Sequence, residues 1–203
     1  MSAPALSVPW GLAALAEPVR ETAPARIDER AALEACRRGD REAFDRLVER
    51  YQRDIYHLCF RYVNNHADAA DLSQEAFLKA YKAIGNFRGD SAFSTWLYRI
   101  AVNTCLNFRS ARRVMHEELS ETLADPSAPV VDRMQQGEQA RQVREAVARL
   151  PEKQRATLIL KIYHVLTHEE VAGILGSTVG TVKANLFHAL GNLRKLMAEP
   201  VSE

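Results

Sequence analysis

Apolar residues recur at spacings of three and four along most of the chain from Asp28 onward. Since residues three and four apart lie on one side of an α-helix, this spacing predicts a chain built of helices. The pair Asn64 and Asn65 ends the second predicted helix, and Gly85 ends the third, because short amides and glycine favour turns over helix interiors. We therefore expect an all-α fold whose first helical domain spans residues 27–113.

The segment from Phe87 to Arg113 mixes aromatic and basic residues, and after Asp90 it contains no acidic residue before Glu117. It starts as a turn and becomes helical at Ser94 or Thr95. In proteins that bind single-stranded nucleic acid, arginines hold phosphates while aromatic rings stack on bases, at ~1 to 3 kcal/mol per base. The segment is therefore a candidate nucleic-acid platform. The competing interpretation is a helix whose aromatic residues, such as Trp96, belong to the core and whose arginines form a solvated face.

Residues 114–137 interrupt the helical spacing with two prolines and five acidic residues against one arginine, which predicts a flexible acidic linker. A second helical domain then spans residues 138–203. Within it Thr167 and Glu170 predict a capping box, Gly176 ends that helix, and a longer helix follows. Two helices joined by a glycine turn form a candidate helix-turn-helix, whose second helix enters a major groove.

Composition narrows the class of protein without identifying it. Residues 1–26 contain four prolines among small residues, which predicts a disordered tail. The 203 residues are 47% apolar and carry a formal net charge of +1, so any binding to nucleic acid depends on local patches. No apolar run is long enough to span a membrane and the N-terminus lacks a signal-like pattern, so we expect a cytoplasmic protein without membrane insertion.

Candidate chemistry is sparse along the chain. The three cysteines have neither CxxC nor Cys/His ligand spacing, so we interpret them as buried or idle thiols rather than a zinc site or disulfides. No Gly-rich phosphate loop, HExxH, GxSxG or paired-carboxylate arrangement stands out. His168 and Glu169 fit the first turn of a capped helix better than a metal site. We predict no enzyme activity, no catalytic residue, no metal and no cofactor.

Two segments resemble one known family. The run FRGDSAFSTWLYRIAVNT, beginning at Phe87, resembles the promoter-melting segment in region two of the extracytoplasmic-function (ECF) sigma factors of bacterial RNA polymerase. The turn GTVK, which leads into the last helix, resembles region four of the same family. The similarity extends with a gap from about Asp40 to Met197. It implies an alternative sigma factor that binds core polymerase, recognises the minus thirty-five and minus ten promoter elements, and initiates transcription.

The resemblance also implies site residues on three elements. On the third helix, four residues are expected to bind the clamp helices of the largest polymerase subunit: Asp71, Gln74, Glu75 and Phe77, the last of which alternatively belongs to the core. The loop and helix that melt the minus ten element supply Phe87, Arg88, Asp90, Ser91, Phe93, Asn103 and Asn107. The last helix reads the minus thirty-five element with Thr178, Lys183, Ala184, Asn185, Phe187 and His188.

One departure concerns the last helix, where Ala184, Asn185 and His188 stand in place of the serine and arginines that many members carry. Fewer arginines make fewer bidentate contacts to guanine, so a family-typical upstream sequence is not expected.

Partners follow from the same resemblance. They are core RNA polymerase, through its clamp helices and flap, promoter DNA, and an anti-sigma factor that restrains the protein. The acidic linker either threads the polymerase, as in related factors, or acts as a solubilising spacer. The alternative function is a free-standing helix-turn-helix regulator that acts without core polymerase, which leaves the aromatic and basic segment unexplained.

Overall fold

The computed structural model describes residues 28–119 and 138–198. Within these ranges the chain is helical and contains no strand, which confirms the all-α prediction. The elements are α1 Glu29–Arg37, α2 Arg41–Val63, α3 His66–Ala83, a 3₁₀ turn Ile84–Asn86, α4 Phe93–Leu119, α5 Glu138–Arg149, α6 Glu152–Leu158, a π-helical turn Ile159–Tyr163, α7 His168–Leu175 and α8 Val179–Ala198. None of the described helices combines the length and apolar character needed to cross a bilayer.

Polar side chains set the ends of α2 and α3. The Asp40 carboxylate accepts a hydrogen bond from the backbone N–H of Ala43 at 3.2 Å and starts α2. Asn64 ends α2 in the left-handed conformation with φ 52°, which asparagine tolerates better than most residues. Asn65 then starts α3 by accepting from the backbone N–H of Asp68 at 3.0 Å. The predicted break at this pair is confirmed.

Helix α4 is longer than its sequence pattern indicated. It begins at Phe93 and continues to Leu119, past residue 114 where the linker was expected to start. Residues 114–119 contain neither proline nor glycine, so their acidic composition does not break a helix. The rest of the predicted linker and the predicted disordered tail lie outside the described residues.

The α7–α8 hairpin follows the sequence prediction closely. The backbone N–H of Glu170 donates to Thr167 Oγ1 at 3.2 Å, and the backbone N–H of Thr167 donates to Glu170 Oε2 at 2.7 Å. Gly176 ends α7 with φ 59°, a conformation that glycine adopts without a steric penalty. The capping box and the glycine turn are both confirmed.

The connection from α6 to α7 is irregular. The π-helical turn continues α6, and beyond it Val165 has φ 53° with its side chain exposed. A β-branched residue in the left-handed region is strained by about 1 to 3 kcal/mol. The Lys161 ammonium donates to the backbone oxygen of Leu166 at 2.7 Å across this bend.

The two sequence halves share one hydrophobic core. Buried residues of α2, α3 and α4, such as Leu97, join buried residues of the second half, such as Ile159 and Val171, in a single cluster. A second, smaller cluster unites α5, α6 and α8 around Val143 and Leu193. The sequence predicted two helical domains, but it gave no sign that α7 packs on α4.

Candidate functional site

An acidic and polar face runs along α3. Asp71, Gln74 and Glu75 are all exposed, while Phe77 is only 9% exposed and packs in the core. The Glu75 carboxylate forms an ion pair with the Lys79 ammonium, with Oε1 and Nζ 2.7 Å apart. Of the four residues expected on this surface, three are accessible to a partner, and Phe77 belongs to the core.

Leu78 adds an apolar spot to the same face, and sequence reasoning missed it. It is 54% exposed, and it follows Gln74 by four positions and Glu75 by three, so the three side chains are neighbours on the helix. That spacing was the available signal. Single exposed apolar side chains are common on soluble proteins, so Leu78 alone does not mark a binding surface.

Aromatic rings lie under the loop that precedes α4. Phe87 and Phe93 are buried, with ring centroids 5.8 Å apart, and Trp96 lies 5.2 Å from the former and 5.6 Å from the latter. The Arg37 guanidinium donates to the backbone oxygen of Phe87 and ties the loop to α1. In this conformation the rings form the floor of the loop, because each lies within contact of another ring and of the core.

The loop itself presents polar groups above that floor. Arg88, Asp90 and Ser91 are exposed, and Gly89 has φ 81°, which lets the chain turn sharply between them. The Ser91 hydroxyl donates to the backbone oxygen of Ala92 at 3.3 Å. Charged and hydroxyl groups therefore face solvent where the platform was expected, and the aromatic groups do not.

A polar stripe continues from the loop along α4. Arg99, Asn103 and Asn107 are exposed at intervals of four, while Ala101 and Cys105 between them are buried. The Arg99 guanidinium donates to the backbone oxygen of Gly173 on α7. One end of the stripe is therefore held by the second half of the chain, and the two amides remain accessible.

The first turns of α8 form a second exposed surface. The Thr178 hydroxyl caps the helix by accepting from the backbone N–H of Thr181 at 3.1 Å. Beyond it Lys183, Ala184, Phe187 and His188 are exposed and Asn185 is partly buried, whereas Val182 and Ala189 face the core. Phe187 is 75% exposed. All the residues expected to read DNA lie on the accessible side of α8 except Asn185, which lies at its edge.

A partly buried histidine joins the two halves, and sequence reasoning did not find it. His164 Nδ1 lies 3.2 Å from the Tyr98 hydroxyl, and burial, reinforced by nearby His57 and Arg61, lowers the pKa of His164 to about 4. The Arg61 guanidinium also lies 4.2 Å from the centroid of the Tyr163 ring. No local pattern marks these residues, because their partners come from the other half of the chain.

The three cysteines are free and buried. A hydrogen bond with Cys59, followed by burial, raises the pKa of Cys105 far above its usual value. The thiol is therefore protonated at neutral pH, and a protonated buried thiol is a poor nucleophile.

Comparison with known proteins identifies the family of this chain. The family model described as Sigma-70 region 2 matches residues 47–114, and that described as Sigma-70, region 4 matches residues 140–193. The RNA polymerase sigma-H factor of Pseudomonas aeruginosa is 40% identical over 168 residues, covering 77% of this chain and 87% of that protein. The ECF RNA polymerase sigma-E factor of Escherichia coli is 38% identical over 177 residues, covering 81% and 91%. The chain belongs to the ECF sigma factors.

The sigma factor shares its fold with solved relatives. The structure of the sigma factor RpoE in complex with the anti-sigma factor NepR from Bartonella quintana covers 76% of this chain and 96% of that chain, with a TM-score of 0.62 at 22% identity. Members of the family bind RNA polymerase and direct promoter-specific transcription, and they are transcription regulators rather than enzymes. The predicted function as a sigma factor is confirmed, while the predicted domain boundaries stay a prediction.

Proposed function

We propose that this sigma factor divides its work among three surfaces. The exposed face of α3 binds core polymerase, the loop before α4 and the amides of α4 hold the melted minus ten strand, and the N-terminal half of α8 reads the minus thirty-five element. The supporting observation is that each set of polar side chains is exposed on a helix whose other side is buried, or on the loop that leads into such a helix. Rigid elements of this kind hold functional groups in fixed positions.

At the minus ten element the burial pattern favours capture of a base by polar groups. Unstacking a base costs a few kcal/mol, which contacts in a pocket offset. Asn103 and Asn107 carry both donors and acceptors for base edges, and Arg88 is placed to approach a phosphate. Phe87 and Phe93 then shape the loop from below, which is a supporting role rather than direct stacking.

At the minus thirty-five element Lys183 supplies the first fixed charge of α8. Lys183→Ala is expected to weaken binding of the upstream element and to reduce the slope of log K against log salt by roughly 1, since one phosphate contact is lost. Filter binding of reconstituted holoenzyme at several salt concentrations measures the slope. Lys153→Ala, which removes an exposed charge from α6, is the control, and an unchanged slope in the Lys183 variant contradicts the assignment.

Partners and location complete the proposal. Solved relatives include a sigma factor bound to an anti-sigma factor, and we expect such a partner here, covering polymerase-binding surfaces. The sigma factor itself has no catalytic activity and acts in the cytoplasm, where RNA polymerase is found.

The decisive experiment is in vitro transcription with purified core polymerase and this protein on a pool of genomic promoters. New start sites that depend on the protein are the expected result. Binding of the isolated protein to duplex DNA at physiological salt, with no effect on initiation by core polymerase, would instead assign it to the free-standing regulators.

A further inference from the structure

A cavity of about 290 Å³ lies where the two halves of the chain meet. Tyr62 comes from the end of α2, while Phe108, Arg109 and Arg112 come from α4. The second half contributes Ala148 of α5 and Arg155 of α6. Three arginines thus line one small space that residues of both halves form.

Three polar atoms at this cavity make no hydrogen bond within the described part of the chain. They are Oη of Tyr62, Nη1 of Arg109 and Nε of Arg155, and each is buried. Arg155 is only 3% exposed. Buried polar atoms almost always have a partner, so three unpaired donors at one cavity are unusual. Two of the three donors are guanidinium nitrogens, so an anion is the acceptor that fits them best.

Acidic side chains nearby balance only part of the positive charge. Arg112 pairs with Asp68 at 2.9 Å, and the Arg112 side chain is about half exposed. Glu152 lies close enough to Arg109 to act on it electrostatically, yet burial still lowers the pKa of the Arg109 guanidinium. Among the side chains that the structure describes, three arginines against these two carboxylates leave an excess of positive charge.

We infer that this cavity binds a small molecule bearing a phosphate group. A phosphate monoester carries about two negative charges and three terminal acceptor oxygens, which match the three unpartnered donors better than the two oxygens of a carboxylate do. Guanidinium groups bind phosphate in a bidentate manner. The volume lies at the lower end of the range for ligand pockets, about 300 to 1,000 Å³, which suits a small phosphate ester or a diphosphate.

The bound anion would stabilise the packing of the two halves against each other. It would contact Tyr62 and Arg109 in the first half and Arg155 in the second, so its binding free energy adds to that of their packing. A partner that separates the halves must therefore compete with the ligand. This regulatory consequence rests on the proposed function, whereas the binding itself does not.

The test uses the full-length protein with inorganic phosphate and pyrophosphate as probes, and with chloride at matched ionic strength as the reference. Isothermal titration calorimetry should show saturable binding at one site, and thermal unfolding should move to higher temperature with probe concentration. Arg109→Gln should weaken binding by about tenfold or more, since it removes a charge-assisted hydrogen bond. Arg155→Met should abolish binding while the helical circular dichroism spectrum is retained.

Arg30→Gln is the matched control, because it removes an exposed arginine of α1 outside the cavity, and its binding should equal that of the unaltered protein. If Arg155→Met fails to fold, Arg109→Gln decides alone. The inference is overturned by the absence of saturable binding, by equal binding in the cavity variants, or by displacement of the probe by a single-stranded oligonucleotide, which would assign the arginines to DNA. Probe-free transcription with core polymerase tests the proposed function separately.

Discussion

Asn103 and Asn107 show how a residue's role depends on what lies behind it. Both amides are exposed on α4, and the buried side of the same turns is filled by Ala101 and Cys105. The buried side chains fix the position of the helix, while the exposed amides contribute little to its packing. Removal of either amide should therefore affect binding of DNA and leave folding unchanged.

Asn103→Ala is expected to reduce open-complex formation by roughly tenfold to a hundredfold, because base contacts of this kind contribute about 1 to 3 kcal/mol. Affinity for core polymerase should stay the same. Permanganate footprinting measures melting, and fluorescence anisotropy measures polymerase binding. Gln52→Ala, on an exposed part of α2, is the control. Parallel loss of both activities in the Asn103 variant would refute a direct role at the melted strand.

His164 makes a second prediction at this scale. Burial holds its pKa at about 4, below the ordinary value near 6.5, so the folded protein keeps it neutral. The His164 side chain binds its proton more tightly in the unfolded chain than in the folded protein. Its contribution to the free energy of unfolding is therefore fully present above pH 6.5 and is lost as pH falls toward 4. The loss attributable to His164 is about 3 kcal/mol. Two of its neighbours, His57 and Arg61, are basic and disfavour protonation further.

Urea unfolding of the unaltered protein and of His164→Asn, measured between pH 7 and pH 4.5, isolates this contribution from that of the carboxylates. The variant should lose less stability on acidification. His188→Asn, which changes an exposed histidine on α8, should behave like the unaltered protein. If His164→Asn keeps the full pH dependence, the histidine does not titrate with unfolding.

At the scale of elements, the sequence predicted helix ends well where local chemistry decides them. The caps and turns at Asn64, Thr167 and Gly176 involve partners three or four residues away. Local sequence is therefore enough to predict these helix ends. Helix α4 and the π-helical turn were not predicted to their full extent. Acidic composition indicated a linker although residues 114–119 contain no helix breaker, and the π-helical turn has no local sequence signal.

The candidate site shows the same limit. Aromatic residues at helical spacing are equally compatible with a stacking surface and with a core, and only the ring contacts of Phe87 and Phe93 distinguish the two. The exposed polar residues of α3 and α8 were easier to predict, because the apolar stripe on each helix fixes which side faces solvent.

The bend between the π-helical turn and α7 yields a prediction for an element. Val165→Gly should increase the free energy of unfolding by about 1 kcal/mol, because glycine relieves the strain at φ 53°. The increase is smaller than the strain itself, because glycine also gives the unfolded chain more backbone entropy. Val165→Ala should fall between the two, because alanine is not β-branched. The midpoint of guanidinium unfolding measures both variants. A destabilised glycine variant would show that the exposed valine side chain contributes packing that outweighs its strain.

At the scale of the whole molecule, the shared core determines how the free protein unfolds. Because Leu97, Ile159 and Val171 belong to one apolar cluster, neither half retains its full core when the other unfolds. We expect a single transition in differential scanning calorimetry, with equal calorimetric and van't Hoff enthalpies. Two resolved transitions would show that the halves unfold independently and that their packing contributes little.

The packing of α7 on α4 also has a thermal consequence. Any partner that pulls these helices apart must transfer their apolar side chains into water, and hydrating apolar surface raises the heat capacity by about 0.45 cal/K/mol per Å². Complex formation that opens the protein will therefore show a less negative heat-capacity change than the area of the new interface implies. Titrating the protein into core polymerase at several temperatures would thus reveal separation of the halves even in an assembly too large for direct observation of either helix.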